Sequence, residues 1–152
     1  MPPWRVMKTA VPLPALLLGL AGLIPPAGLT AVALLDLGLF APSTPGFVLT
    51  YAAIILSFLG GTWRGFVSRS DRPIAVLLTV SVLPALAGWA AIFSFQPPAA
   101  LFALAGALIV ALVVDALLVR RRLAPGCWMK LRVPLSLGLA SCCLLSGWAL
   151  VR

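Results

Sequence analysis

The sequence predicts an all-α, polytopic membrane helix bundle with five transmembrane helices. Three observations predict it. Of 152 residues, 62% are hydrophobic and 9% charged, against roughly 45–50% and roughly 25% in soluble domains. Mean hydropathy is +1.16, which leaves too little polar surface to cover a soluble fold of this size. The few charges fall in short clusters between long apolar runs.

Five stretches approach the roughly 20 residues that carry a helix across a bilayer core. They cover about 13–35, 46–66, 74–95, 98–119 and 133–151, and together predict a single membrane domain of residues 1–152. The first break, 36–45, holds Pro42, Ser43, Thr44 and Pro45; the second, 68–73, is polar; Gln96-Pro97-Pro98 is a tight reversal. Such short connections make successive helices antiparallel neighbours.

Lys and Arg set the orientation, because loops on the cytoplasmic side carry their excess. Arg5, Lys8, Arg64, Arg69, Arg72, Arg120, Arg121, Arg122, Lys130 and Arg132 all fall on one side, and only Arg152 on the other. The N-terminus is therefore expected in the cytoplasm and the C-terminus outside. Trp4, Trp63 and Trp128 near the inner ends, and Trp89 and Trp148 towards the outer, fit interfacial aromatic belts. The first span is expected to be retained: it is longer than the cleaved core of a signal peptide, despite Ala31-Val32-Ala33. Only about a dozen residues precede it, short for a mitochondrial presequence, which points to a bacterial inner membrane.

Composition also narrows the chemistry. The chain has no His, Glu or Asn, and its acids are Asp36, Asp71 and Asp115. His-based acid–base catalysis, Ser-His-Asp triads and paired-carboxylate hydrolysis are excluded, and no metal site or cofactor is expected. Cys127 falls in a loop, and the adjacent Cys142 and Cys143 point in different directions on one helix, so no disulfide is expected. The net charge of +8 follows the loops rather than one face, so it predicts no nucleic-acid partner.

Small residues recur every four positions on two helices. The second carries Ala53, Ser57, Gly61 and Gly65; the fourth carries Ala99, Ala103, Ala107 and Ala111, followed by Asp115. Such rows let helices approach closely and predict packing faces within the bundle. A carboxylate one turn inside the span needs a partner. Arg64, eleven residues after Ala53, returns to the same face. An Arg64–Asp115 pair between the second and fourth helices is expected, with Arg132 as competing partner, in a structural rather than proton-carrying role. Pro25 and Pro26 interrupt the first helix and Pro84 the third. Paired breaks are a weak pointer to a transport site, and a polar cavity lined by Tyr51, Ser57 and Ser81 is the corresponding expectation.

The segments LGLAGLIP (18–25), YAAIILSFLGG (51–61), SVLPALAGW (81–89), the intramembrane Asp115 and PGCWMKLR (125–132) occur in that order. In these the chain resembles the family of small multi-pass membrane proteins of unknown function that includes transmembrane protein 69 (domain of unknown function 3429). The resemblance covers about 14–135. One departure is Trp63-Arg64-Gly65 where the family has Trp-Gly, while Leu131-Arg132 matches its Leu-Arg step and strengthens Arg132 as a partner. The resemblance implies a membrane location and no reaction, ligand or cofactor.

The expected function is non-catalytic. The chain reads as an uncharacterised integral inner-membrane protein, an accessory or assembly partner of a membrane complex, whose partners are the lipid bilayer and other membrane-protein subunits. A small transporter or ion pathway using Asp115 and the Pro-broken helices is the alternative.

Overall fold

The computed structural model describes residues 13–35, 43–68 and 75–152. The orientation cations Arg5, Lys8, Arg69 and Arg72, the acids Asp36 and Asp71, and Trp4 lie outside these. Among the described residues seven helices form: α1 (Leu13–Ala21), α2 (Ile24–Leu35), α3 (Thr44–Val67), α4 (Ala75–Val80), α5 (Leu83–Ser94), α6 (Pro97–Arg120) and α7 (Trp128–Val151). They build five spans long and apolar enough to cross a membrane, α1–α2 and α4–α5 each making one broken span.

Both breaks fall on the turn before a proline. Pro25 and Pro26 have no N–H for the carbonyls of Ala21 and Gly22, so the chain tightens there, with Leu23 N–H donating to the Leu20 carbonyl at 2.9 Å. Before Pro84, Val82 N–H likewise donates to Thr79 at 3.1 Å. Proline also begins spans: Pro45 occupies the first turn of α3, and Pro97 opens α6 behind an extended Gln96.

The last span starts five residues earlier than the sequence reading placed it, at Trp128 rather than 133. Charge at Lys130 and Arg132 suggested a loop, but Arg132 is neutralised inside the bundle, so the helix accommodates it. The preceding turn is a Schellman closure. Arg122 takes a left-handed φ of 58°. Leu123 N–H donates to the Leu118 carbonyl and Arg122 N–H to that of Val119, at 2.9 and 3.0 Å. This closure reverses the chain and lays α7 antiparallel along α6, the most extensive interface in the bundle.

α3 runs through the centre, touching α2, α4, α5, α6 and α7. The buried side of α6 runs Leu101, Leu104, Leu108, Ala111, Asp115 and Leu118; that of α7 runs Arg132, Ser136, Leu139, Cys143 and Ser146. Alternating three- and four-residue steps keep such a row on one side of a helix.

The predicted rows of strict four-residue spacing do not stay inside. Each step of four overshoots a full turn by about 40°, so the rows wind around their helices. On α3 Ala53 is buried, but Ser57, Gly61 and Gly65 are exposed. On α6 Ala99 and Ala103 are exposed, Ala107 is half-buried, and only Ala111 and Asp115 reach the core. Close approach instead occurs at Gly60, where a Cβ would overlap the Ser81 carbonyl oxygen, and at Gly88, where it would lie 3.1 Å from the Ala53 carbonyl oxygen.

Candidate functional site

Asp115 is fully buried, and its carboxylate gathers α3, α6 and α7. Oδ1 accepts the indole N–H of Trp63 from α3 at 2.8 Å and that of Trp128 from α7 at 2.9 Å. Oδ2 accepts Arg132 Nε at 2.9 Å, an ion pair within the bundle. Arg132 Nη2 then donates to Ser136 Oγ at 3.0 Å. The guanidinium also lies 5.8 Å from the Trp128 ring centre, and Phe66 meets that ring edge-on at 5.1 Å.

The helices explain the convergence. Trp128, Arg132 and Ser136 recur every four residues over two turns of α7, so they share one side and meet the single acidic position of α6. A lone carboxylate in an apolar interior costs several kcal/mol. Here a cation and two neutral donors offset that cost.

Arg64 does not join this network. It is exposed, and its Nε donates to Ser81 Oγ at 3.5 Å, while Ser81 Oγ donates to the Leu78 carbonyl at 2.6 Å. The expected Arg64–Asp115 pair is therefore corrected to Arg132–Asp115. Arg64 does share the side of Ala53, but that side of α3 packs against the third span. Trp63, one residue earlier and about 100° around the helix, faces α6. Its indole and that of Trp128 serve the carboxylate instead of an interfacial belt; Trp89 and Trp148 remain exposed, as a belt requires. The four-residue spacing from Trp128 to Arg132 to Ser136 was the available signal for α7. Nothing local singled out Trp63.

The helix breaks make a second polar feature. The Gly22 carbonyl, deprived of its helical donor by Pro26, accepts the Tyr51 hydroxyl at 2.6 Å. One turn beyond, buried Thr30 donates to the Pro26 carbonyl at 2.8 Å and lies 3.1 Å from Ser146 Oγ on α7. The expected polar cavity of Tyr51, Ser57 and Ser81 does not form. Tyr51 borders a largely apolar cavity against α7, Ser57 is exposed, and Ser81 packs against Gly60 on another side of α3. Among the described residues no three Cys or Asp side chains cluster as metal ligands.

Five apolar spans, three of them tied together by one buried charge network, define a polytopic α-helical membrane protein. The family model described as protein of unknown function (DUF3429) matches residues 11–148, and the chain belongs to that family. Transmembrane protein 69 of Xenopus tropicalis is 42% identical over 92 residues, covering 58% of this chain and 35% of the frog protein. The match thus spans about a third of that relative's length. No solved structure matches the chain.

Proposed function

We propose that this protein is a non-catalytic accessory or assembly partner of a larger complex in a bacterial inner membrane, with its N-terminus cytoplasmic and its C-terminus outside. The observation that carries the reading is the three hydrogen bonds that buried Asp115 accepts. A carboxylate held by two indoles and a guanidinium is an acceptor locked in place, which suits a fastening between helices better than a group that takes up and releases protons. The two broken spans bury little of themselves, 11% and 22% of their most apolar windows, which leaves apolar helix faces for other subunits.

Affinity purification in mild detergent tests the reading. Stoichiometric co-purifying membrane subunits are expected. A lone, monodisperse protein from a native-level source would overturn it. The second reading, a small transporter or ion pathway, draws on the two breaks. It weighs less because the carbonyl at one break is taken by Tyr51 and that at the other lies against Gly60.

A further inference from the structure

The side of the bundle between the first span and α7 is incompletely filled. Gly19 lies beside Leu131 and Leu135 of α7, and Gly22 beside the Tyr51 hydroxyl of α3. They border a cavity of about 390 Å³. Along α7 it runs from Trp128 to Leu139, and along α3 from Thr62 to Tyr51. Eleven residues of rise at 1.5 Å each make it about 16 Å long, roughly half of the ~30 Å hydrocarbon core and so the depth of one leaflet.

Its two ends differ chemically. Towards Tyr51 the walls are aliphatic; towards Trp128 they include Arg132. Arginine carries five N–H donors, and the bonds to Asp115 and Ser136 engage Nε and one Nη2 hydrogen. Around that same end of the bundle stand Arg120, Arg121 and Arg122, while Asp115, the only acid among the described residues, is committed to Arg132. Leu18 and Phe58 border the cavity and are also strongly exposed, so it opens sideways through the apolar surface.

We propose that this slot holds one acyl chain of an anionic phospholipid from the leaflet at the arginine-rich end. The chain enters sideways past Leu18 and Phe58 and lies between α1, α3 and α7. The ester carbonyl accepts from the guanidinium of Arg132, and the phosphate rests among the basic residues of the α6–α7 turn. A slot of leaflet depth with a cationic mouth and an apolar far end suits this chemistry better than a peptide or a polar solute.

Native mass spectrometry of the full chain in mild detergent, with thermal denaturation during lipid titration, tests the assignment. The wild type is expected to retain one phospholipid mass and to show a saturable rise in Tm with phosphatidylglycerol that phosphatidylcholine does not reproduce. Leu135→Trp and Ile55→Trp, which plug the slot from α7 and α3, should each weaken that response about ten-fold or more, whereas Phe93→Leu on the far side leaves it intact. Retention of a free fatty acid or detergent alone, equal responses to the two lipids, or plugged variants that respond like the wild type would each overturn it. If both plugged variants misfold, a phosphatidylglycerol with a photoreactive chain tip decides on the wild type. Labelling concentrated in 51–62 and 128–139 supports the slot, and labelling spread over all exposed faces refutes it.

Discussion

Trp63 and Trp128 donate their indole N–H groups to the same oxygen, Oδ1 of Asp115, from two different helices. Trp63 is buried and Trp128 half-buried, so the central helix and the last one are joined through an atom that belongs to neither. A shared acceptor makes the two bonds interdependent: loss of one lets the carboxylate turn towards the other.

Trp63→Phe and Trp128→Phe should each lower stability, by about 1–3 kcal/mol for a buried polar group left short of a partner, with the larger loss at Trp63. The double variant should lose less or more than the sum, with a coupling of about 0.5 kcal/mol or above. Thermal denaturation of the four proteins in one detergent measures it. Strict additivity would show that the shared oxygen does not couple the helices.

Asp115→Asn keeps the shape of the side chain and removes its charge, leaving Arg132 buried without a counterion. Breaking such a pair costs about 3–5 kcal/mol, so folded yield in detergent should fall sharply. Adding Arg132→Leu removes the stranded cation and should restore much of the yield. Arg64→Gln, at an exposed residue, should stay within about 0.5 kcal/mol of wild type. An unchanged yield for Asp115→Asn would sink the structural role of the pair.

Much of this architecture is legible in the sequence, because bilayer thickness and proline chemistry act locally. The described residues 13–35 lie in one broken apolar span, and both breaks sit just before Pro25 and Pro84. What escapes is the choice of neighbour. Arg64 sits on the side of Ala53, as helical geometry requires, but short loops do not say which helix that side meets, and it meets the third span. Hydropathy also misplaces the start of α7, since it scores Arg132 as polar regardless of a carboxylate donated by another helix. Both misses share a cause: the environment of a charge is set by residues far away in the chain.

The proposed orientation is open to direct chemical labelling. Cys127 lies in the α6–α7 turn, half-buried, whereas Cys142 and Cys143 lie within α7. A membrane-impermeant maleimide should leave Cys127 unmodified in intact spheroplasts and modify it in inverted vesicles. A reporter that works only in the periplasm should be active when fused after Arg152. Labelling in spheroplasts, or a silent reporter, would reverse the topology.

Two adjacent glycines on α3 should behave oppositely. A Cβ on Gly60 would overlap the backbone oxygen of Ser81, which the break before Pro84 holds against α3, whereas a Cβ on Gly61 meets nothing within 4 Å. Backbone cannot swing aside as a flexible side chain does, so Gly60→Ala must separate α3 from the third span and open the contact that Gly88 makes with Ala53 on the same interface. A loss of at least about 1–3 kcal/mol is expected from such overpacking. At Gly61, by contrast, alanine restricts the unfolded chain and favours the helix, a gain of about 0.5–1 kcal/mol. Tm values of the two variants in the same detergent should therefore move in opposite directions. Equal effects at both positions would mean that α3 does not approach the third span through Gly60.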